Sequence, residues 1–394
     1  MENIKWAILK VLDVLAALLF ILYSMVAAWF GQFGEITPVI PDTPAFAFAA
    51  ELGVGWNMGN ALEATIPGFA GAETETLWGS PKITKAVVDK VKAAGFSTVR
   101  IPITWAPHLG PAPDYTIDAA WLDRVQEVVD FSYGNGLYTI INMHHDDMTW
   151  FIPDPQHEDA TTAEFTKLWE QIAARFEPYG DHLIFEAANE PRVVGSLLEW
   201  AGGTPSQHKV VNRLNRAFVD VVRRSGGNNA ERWLLLPTYA ASCESTALRA
   251  MEAPTDPHAL VSIHAYYPRK FTSDKYMDHS TWSERDSKAL QKKLREIYRL
   301  FIAKGVPVYM GEFGAVAKDN DAERAAYITE FRGTLRSYGI SCGIWDNGYA
   351  ADEGALPEAF ALLDRRTLKW RHPALIATLT DNEELTINRD INGE

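Results

Sequence analysis

The chain has 394 residues, of which 47% are hydrophobic and 22% are charged, a composition typical of a folded globular protein. Its formal net charge is −14, and an acidic surface argues against a protein that binds nucleic acid or anionic lipid. The two cysteines, Cys243 and Cys342, accompany no group of histidines spaced like a zinc site. They could form one disulfide, but they fit two separate buried thiols better.

The first 30 residues differ from the rest of the chain. Two lysines precede residues 14–30, an apolar run that is broken only by Ser24. Such a run is long for the core of a signal peptide and at the short limit for a membrane span. We therefore predict that residues 1–30 are a signal peptide or a membrane anchor, and that the protein is secreted or extracytoplasmic. Asp13, just before the run, fits neither role well.

The remainder divides into a linker, one large domain and a tail. Residues 31–48 contain three prolines and no periodic pattern, which predicts a linker. Strand-like and helix-like stretches then alternate over residues 49–380, and the polar residues 381–394 are predicted to form a tail. The predicted strands span 53–57, 97–102, 138–143, 183–188, 233–236, 260–264, 308–311 and 342–345. Eight nearly continuous apolar strands separated by helices favour a single-domain (β/α)8 TIM barrel over a doubly wound sheet.

Polar side chains cluster at the carboxyl ends of these strands, where a barrel of this type carries its active site. They are Asn57, Arg100, His144, Asn189, Glu190, His264, Glu312 and Trp345. Glu190 follows the apolar residues 183–185, and Pro191 stops the strand after it. Glu312 ends a second apolar strand in the same way. Two carboxylates over one barrel mouth suit glycoside hydrolysis, in which one protonates the leaving oxygen and the other attacks or activates water.

Each residue also has an ordinary structural explanation when it is taken alone. A single arginine such as Arg100 is usually an ion-pair partner, although at a strand end it can keep a carboxylate ionised. His144 and His145 could bind a metal, but no third ligand follows at metal spacing, so no metal is predicted. Trp345 would fit a core, yet at the end of the last strand it suits a flat platform for a sugar ring.

Eight short motifs occur in order and carry a family resemblance. They are Gly55-Trp-Asn-Met-Gly-Asn60, Thr74-Glu-Thr-Leu-Trp-Gly79, Val99-Arg-Ile-Pro102, Asn142-Met-His-His-Asp146, Asn189-Glu-Pro191, His264-Ala-Tyr266, Gly311-Glu-Phe-Gly314 and Trp345-Asp-Asn-Gly348. This set resembles glycoside hydrolase family 5, in the clan whose acid/base follows strand four and whose nucleophile follows strand seven. The first two motifs are most similar to subfamily 4, which consists of endo-β-1,4-glucanases.

The resemblance implies a retaining endo-β-1,4-glucanase that needs no cofactor and acts on β-glucans. It implies that Glu190 is the general acid/base and that Glu312 is the nucleophile. The expected substrate-binding residues are Arg100, His144, His145, Asn189, His264, Tyr266, Trp345 and Asn57, with Tyr266 also hydrogen-bonded to the nucleophile. Alternatives are a xyloglucanase or mixed-linkage glucanase, then a β-mannanase. A rival from another class is a membrane-tethered sugar-binding protein without activity.

Overall fold

A computed structural model of the chain describes residues 2–30, 37–273, 276, 278–350 and 358–381. Eight parallel strands form a closed barrel in sequence order, and β8 pairs with β1 to complete it. The strands are β1 (Val54–Met58), β2 (Thr98–Ile101), β3 (Tyr138–Asn142), β4 (Leu183–Glu186), β5 (Leu234–Ser242), β6 (Ala259–His264), β7 (Val308–Phe313) and β8 (Ser341–Asp346). The prediction of a TIM barrel is confirmed.

Helices surround the barrel and connect its strands. They are α1 (Glu2–Phe30), α2 (Pro44–Glu51), α3 (Lys85–Ala93), α4 (Ala119–Tyr133), α5 (Glu158–Phe176), α6 (Pro205–Arg224), α7 (Ser245–Ala250), α8 (Arg269–Thr272), α9 (Glu284–Leu300), α10 (Asp321–Ser337) and α11 (Pro373–Thr380). The helix α4 shows why they pack inward, because Trp121, Val125 and Val128 recur on one face and are fully buried. At the start of α6, Thr204 and Gln207 form a capping box that satisfies two backbone donors.

The linker prediction for residues 31–48 is wrong at its C-terminal end. Thr43 and Pro44 begin the helix α2, in which Phe46, Phe48 and Ala49 are buried. Phe48 stacks on Trp233 at a ring distance of 4.0 Å, within a cluster that also contains inward-facing residues of β3 to β7. The helix α2 therefore packs against the barrel interior and belongs to the folded domain. Residues 31–36 and 382–394 lie outside the described residues.

The helix α1 packs on the barrel along one narrow stripe. Trp6–Val26 is long and apolar enough to cross a membrane, judged by length and composition alone. Asp13 accepts hydrogen bonds from the backbone N–H and hydroxyl of Ser206 in the first turn of α6. Ala17 and Ser24 are buried on the same stripe, whereas the leucines on the other faces are exposed. Asp13, which fits neither a signal peptide nor a span, thus supplies acceptors to the positive end of a barrel helix.

The two cysteines are free and buried, in agreement with the expectation of separate thiols. Burial raises the pKa of Cys243 to about 11 and that of Cys342 to about 12. Neither thiol therefore ionises near neutral pH, and both pack as small apolar side chains.

Candidate active site

A cleft with a cavity volume of about 520 Å³ opens at the carboxyl ends of the strands. Eight of the predicted site residues line it: His144, His145, Asn189, Glu190, His264, Tyr266, Glu312 and Trp345. Strand register explains how distant sequence positions meet here. His264 in β6 is paired with Glu312 in β7, and Trp345 in β8 is paired with Asn57 in β1. The backbones of paired residues therefore lie at similar levels along the barrel axis, and the direction of each side chain decides whether it reaches the cleft.

Glu312 lies at the floor of the cleft and is held from three sides. Its Oε1 accepts a hydrogen bond of 2.8 Å from Nη1 of Arg100, and its Oε2 accepts one of 2.7 Å from the Tyr266 hydroxyl. His264 Nδ1 lies 3.7 Å from Oε2. Burial raises the pKa of Glu312, but the charges of His264 and Arg100, with the hydrogen bonds from Tyr266 and Arg100, outweigh burial and lower it. Glu312 is therefore an ionised carboxylate at neutral pH.

Glu190 follows β4 and faces Glu312 across His264. Its Oε1 lies 2.9 Å from His264 Nδ1, and its side chain is 17% exposed compared with 6% for Glu312. One oxygen of each glutamate and one ring nitrogen of His264 all lie within 4.8 Å of one another. Burial lowers the pKa of His264, but the two carboxylates outweigh it and raise the pKa above its usual value. His264 thus links the two carboxylates electrostatically.

Arg100 and Asn57 were predicted to bind substrate, and the structure places them beneath the cleft instead. Both are fully buried, and neither lines the cavity. The Arg100 guanidinium donates to Glu312, to Asn57 Oδ1 at 3.0 Å and to Asn189 Oδ1 at 2.8 Å. Asn57 in turn donates to the carbonyl of Gly311 at 2.9 Å. The reason is their position within β1 and β2, from which these side chains point into the barrel interior rather than out of its mouth.

Glu186 is a buried residue of the site that sequence reasoning missed. Its carboxylate accepts hydrogen bonds from Arg100 Nε at 2.7 Å, from Asn142 Nδ2 at 3.0 Å and from the Ser262 hydroxyl at 2.7 Å. Arg100 thus lies between two carboxylates, Glu186 below and Glu312 above. A signal was available, because a glutamate inside an apolar parallel strand is almost never fully buried unless it is paired.

Aromatic and imidazole rings form one wall of the cleft. The ring of Trp345 is nearly parallel to that of His144, with centroids 6.0 Å apart and an interplanar angle of 8°. Burial lowers the pKa of His145 to about 4 and holds the pKa of His144 well below its usual value, so both rings are neutral at neutral pH. Trp78 also lines the cleft, whereas Trp56 is buried in the core and donates to Asp346 at 2.9 Å.

The long loops after β4 and β6 contribute to the cleft less uniformly than their aromatic content suggests. Trp200 and Tyr267 line the cavity. Phe271 is fully buried and packs edge-on against Trp282 at 5.0 Å, so these two rings belong to the core. Trp200 was missed, because a single tryptophan in a loop cannot be assigned to the cleft or the surface without the path of the chain.

One group of three possible metal ligands occurs among the described residues, and it consists of Glu190, His264 and Glu312. His264 already contacts the Glu190 carboxylate, and Arg100 and Tyr266 each donate a hydrogen bond to one carboxylate oxygen of Glu312. The donor set is therefore engaged in internal hydrogen bonds, and the absence of a metal stays a prediction.

Two facing carboxylates and an aromatic wall at the mouth of a (β/α)8 barrel define a glycoside hydrolase. The family model for cellulases of glycosyl hydrolase family 5 matches residues 60–351. The chain belongs to glycosyl hydrolase family 5, and the resemblance read from the motifs is confirmed.

Similar proteins are named as cellulases or endoglucanases. Endoglucanase A of Ruminococcus albus is 42% identical over 87% of this chain and 94% of its own length. Cellulase/esterase CelE of Acetivibrio thermocellus is 44% identical over 86% of this chain, and the match spans 40% of that longer protein. A GH5-4 broad-specificity endoglucanase from Ruminococcus champanellensis with bound cellotriose is 43% identical, with a TM-score of 0.81 over 86% of this chain and 99% of its own. A xyloglucan-specific GH5 endo-β-1,4-glucanase from a metagenomic library, bound to cellotriose, is 40% identical, with a TM-score of 0.82 over 86% of this chain and 98% of its own.

Proposed function

We propose that the chain is a retaining endo-β-1,4-glucanase that hydrolyses β-glucans by double displacement. The approach of the Glu190 and Glu312 carboxylates, within 4.8 Å at their nearest oxygens, carries this proposal. Retaining enzymes hold the two carboxyl groups about 5–5.5 Å apart, whereas inverting enzymes need about 6.5–9.5 Å to admit a water molecule between them. An approach of the two nearest oxygens to within 4.8 Å favours the spacing of a retaining enzyme over that of an inverting one.

The electrostatics of Glu312 support its role as the nucleophile, which leaves Glu190 as the acid/base. Glu312, which Arg100, Tyr266 and His264 keep ionised, attacks the anomeric carbon. Glu190 gives its proton to the departing glycosidic oxygen, so the bond to the leaving sugar breaks as the glycosyl ester forms. Glu190 then takes a proton from water, whose oxygen attacks the same carbon and releases Glu312 as a carboxylate.

The remaining residues at the cleft surface suit sugar hydroxyls and ring faces. Asn189 lies beside Glu190, and its Oδ1 is held by Arg100, which leaves its amide N–H groups to reach a sugar 2-hydroxyl. His144 and His145, being neutral, can each donate or accept a hydrogen bond. Trp345 offers an aromatic face on which the C–H face of a glucosyl ring can stack.

The preferred glucan is decided by a panel of substrates. We expect reducing ends to be released from carboxymethylcellulose and lichenan at comparable rates. Xyloglucan as the main substrate is the second candidate, because a neighbour of 40% identity carries that specificity in its name; β-mannan is the third. Release of reducing ends from none of the four polysaccharides, with binding retained, would overturn the proposal.

We also propose that residues 1–30 take the protein out of the cytoplasm and that residues 14–30 can hold it at a membrane. The apolar stretch Trp6–Val26 supports this proposal. Expression of the full chain with a tagged C-terminus and separation of cytoplasmic, membrane and secreted fractions tests it. Activity confined to the cytoplasmic fraction would contradict it.

A further inference from the structure

Arg192 lies two residues beyond Glu190 and is surrounded by carboxylates. It is 6% exposed, and its Nη1 contacts Asp147 Oδ2 from the loop after β3. Its Nε donates to Glu199 Oε1 at 3.0 Å, and its Nη1 lies 3.8 Å from Oε2 of Glu190. Arg192 therefore joins the loops after β3 and β4 directly behind the proposed acid.

The flat face of the same guanidinium meets an aromatic ring of the cleft. The Arg192 Cζ atom lies 4.5 Å from the ring centroid of Trp200. Trp200 is 49% exposed and lines the cavity. A guanidinium is planar, so it can bind carboxylates at its edge while an aromatic ring stacks on its face. The Trp200 ring and the Glu190 carboxylate thus both lie beside the same guanidinium group.

A role in stability alone explains this arrangement poorly. Burying an arginine among carboxylates requires their desolvation, and such clusters often stabilise a fold no better than apolar residues of similar size. The Asp147 carboxylate shows that cost, since burial raises its pKa to about 7 although Arg192 opposes the rise. An ion pair that only tied two loops together would not need a half-exposed tryptophan stacked on its open face.

We infer that Arg192 is a positioning residue that aligns the acid with the leaving sugar. Its edge donates a hydrogen bond of 3.3 Å to the backbone carbonyl of Glu190 and places a positive charge 3.8 Å from the Glu190 carboxyl. Its face holds Trp200 as a stacking platform for a glucosyl unit on the leaving-group side. Glu190 must meet the glycosidic oxygen, so the sugar attached to that oxygen has to lie on the Glu190 side of the cleft. Trp200 lies on that side, since its ring stacks on the Arg192 guanidinium, whose Nη1 lies 3.8 Å from Oε2 of Glu190.

This inference rests on the proposed function, and two substrates test it separately. Cellotetraose has a sugar leaving group that needs both protonation and a stacking surface. The leaving group of β-cellobiosyl fluoride is a fluoride ion, which needs little protonation and contains no sugar ring to stack. The ratio of kcat/KM on the two substrates therefore reports alignment of the acid and the leaving sugar, and a general loss of folded protein does not change it.

We expect Arg192→Met to lower kcat/KM about tenfold or more on cellotetraose but less than about threefold on the fluoride. Arg192→Lys keeps the positive charge without the planar group, so its kcat/KM on cellotetraose should lie between those of Arg192→Met and the wild type. Trp200→Ala leaves Glu190 in place and is expected to lower kcat/KM about threefold to tenfold on cellotetraose only. Because Trp200 is half exposed, this variant should fold even if Arg192→Met does not.

Arg249→Met is the matched control. Arg249 pairs with Glu296 at 3.2 Å, is 23% exposed and does not line the cleft, so both substrates should be cleaved within about twofold of wild type. Equal losses on the two substrates for Trp200→Ala and Arg192→Lys, or no loss on either, would overturn the inference. If wild-type protein cleaved neither substrate, the proposed function itself would be wrong.

Discussion

Replacement of Arg100 by methionine tests how the nucleophile is held. Arg100 is fully buried and donates to both Glu186 and Glu312, at 2.7 and 2.8 Å. Methionine fills a similar volume but leaves two buried carboxylates without their cation. Removal of one partner from a buried ion pair costs about 3–5 kcal/mol of unfolding free energy. For a domain of this size we expect the midpoint of thermal unfolding at pH 7 to fall by about 4–7 °C.

The sign of the pH dependence follows from the pKa of Glu312. In the wild type that pKa is lowered, so the ionised form contributes stability above its unfolded value of about 4.3 and loses it as pH falls through the folded value. In Arg100→Met, His264 and Tyr266 still oppose burial but Arg100 no longer does, so the pKa of Glu312 rises above its wild-type value and Glu312 takes up its proton at a higher pH. The difference in stability between wild type and variant should therefore be largest near pH 7 and shrink towards pH 4.

Thermal unfolding followed by circular dichroism between pH 4 and pH 8 measures this difference. Arg216→Met is the control, since Arg216 pairs with Glu252 at an exposed position and should cost about 1 kcal/mol or less. The activity of Arg100→Met on β-glucan at pH 7 should fall at least about 100-fold. If the unfolding midpoint of Arg100→Met fell by less than about 2 °C at pH 7, or fell by the same amount at every pH, this account of Arg100 would be refuted.

Four further changes probe the nucleophile, the acid, the Trp345 platform and the limits of the domain. Glu312→Gln should lower kcat at least about 1,000-fold with the fold intact, and a variant that keeps a tenth of the wild-type rate would contradict its role as the nucleophile. Glu190→Gln should lose less activity on activated than on unactivated glycosides, and equal losses would count against Glu190 as the acid. Gly59→Ala would place a Cβ atom 2.6 Å from the ring of Trp345, so we expect kcat/KM to fall about tenfold or more; unchanged kinetics would exclude Trp345 as a platform. A chain that starts at Thr37 retains α2 and should be soluble and fully active, whereas failure to fold would show that α1 belongs to the core.

The sequence predicted the barrel and most of the cleft because one rule governs both. A parallel strand buried on both faces is apolar until its end, and eight such ends meet at a single mouth. Polar residues that directly follow β3, β4 and β6 could therefore be predicted to line the cleft, as His144, Glu190 and Tyr266 do. Their contact with one another depended only on closure of the barrel, which the number and spacing of the strands indicated.

Depth within the barrel was harder to predict. Arg100 lies inside β2, whereas His144 lies two residues beyond β3, and the first is buried while the second lines the cleft. Sequence patterns place strand ends to within a few residues, which is the distance that separates a substrate contact from a support beneath it. The burial of Arg100 and Asn57 beneath the cleft could not be predicted for this reason.

The loops and the segment before β1 carried too little local pattern. The helix α2 has only eight residues, and its one proline and its alanines resemble a linker until Phe48 is seen against Trp233. Arg192 and Trp200 are eight positions apart in an irregular loop, and their contact depends on how that loop folds. Such tertiary contacts leave no periodic signal in a single sequence.

The stereochemistry of the first product tests the central claim most directly. Wild-type protein is mixed with cellotetraose in an NMR tube, and the anomeric proton signals are followed before the anomers equilibrate. Attack by Glu312 followed by attack of water inverts the anomeric carbon twice, so the β-anomer should appear first. Early accumulation of the α-anomer would mean that water attacks directly, and it would remove Glu312 as the nucleophile.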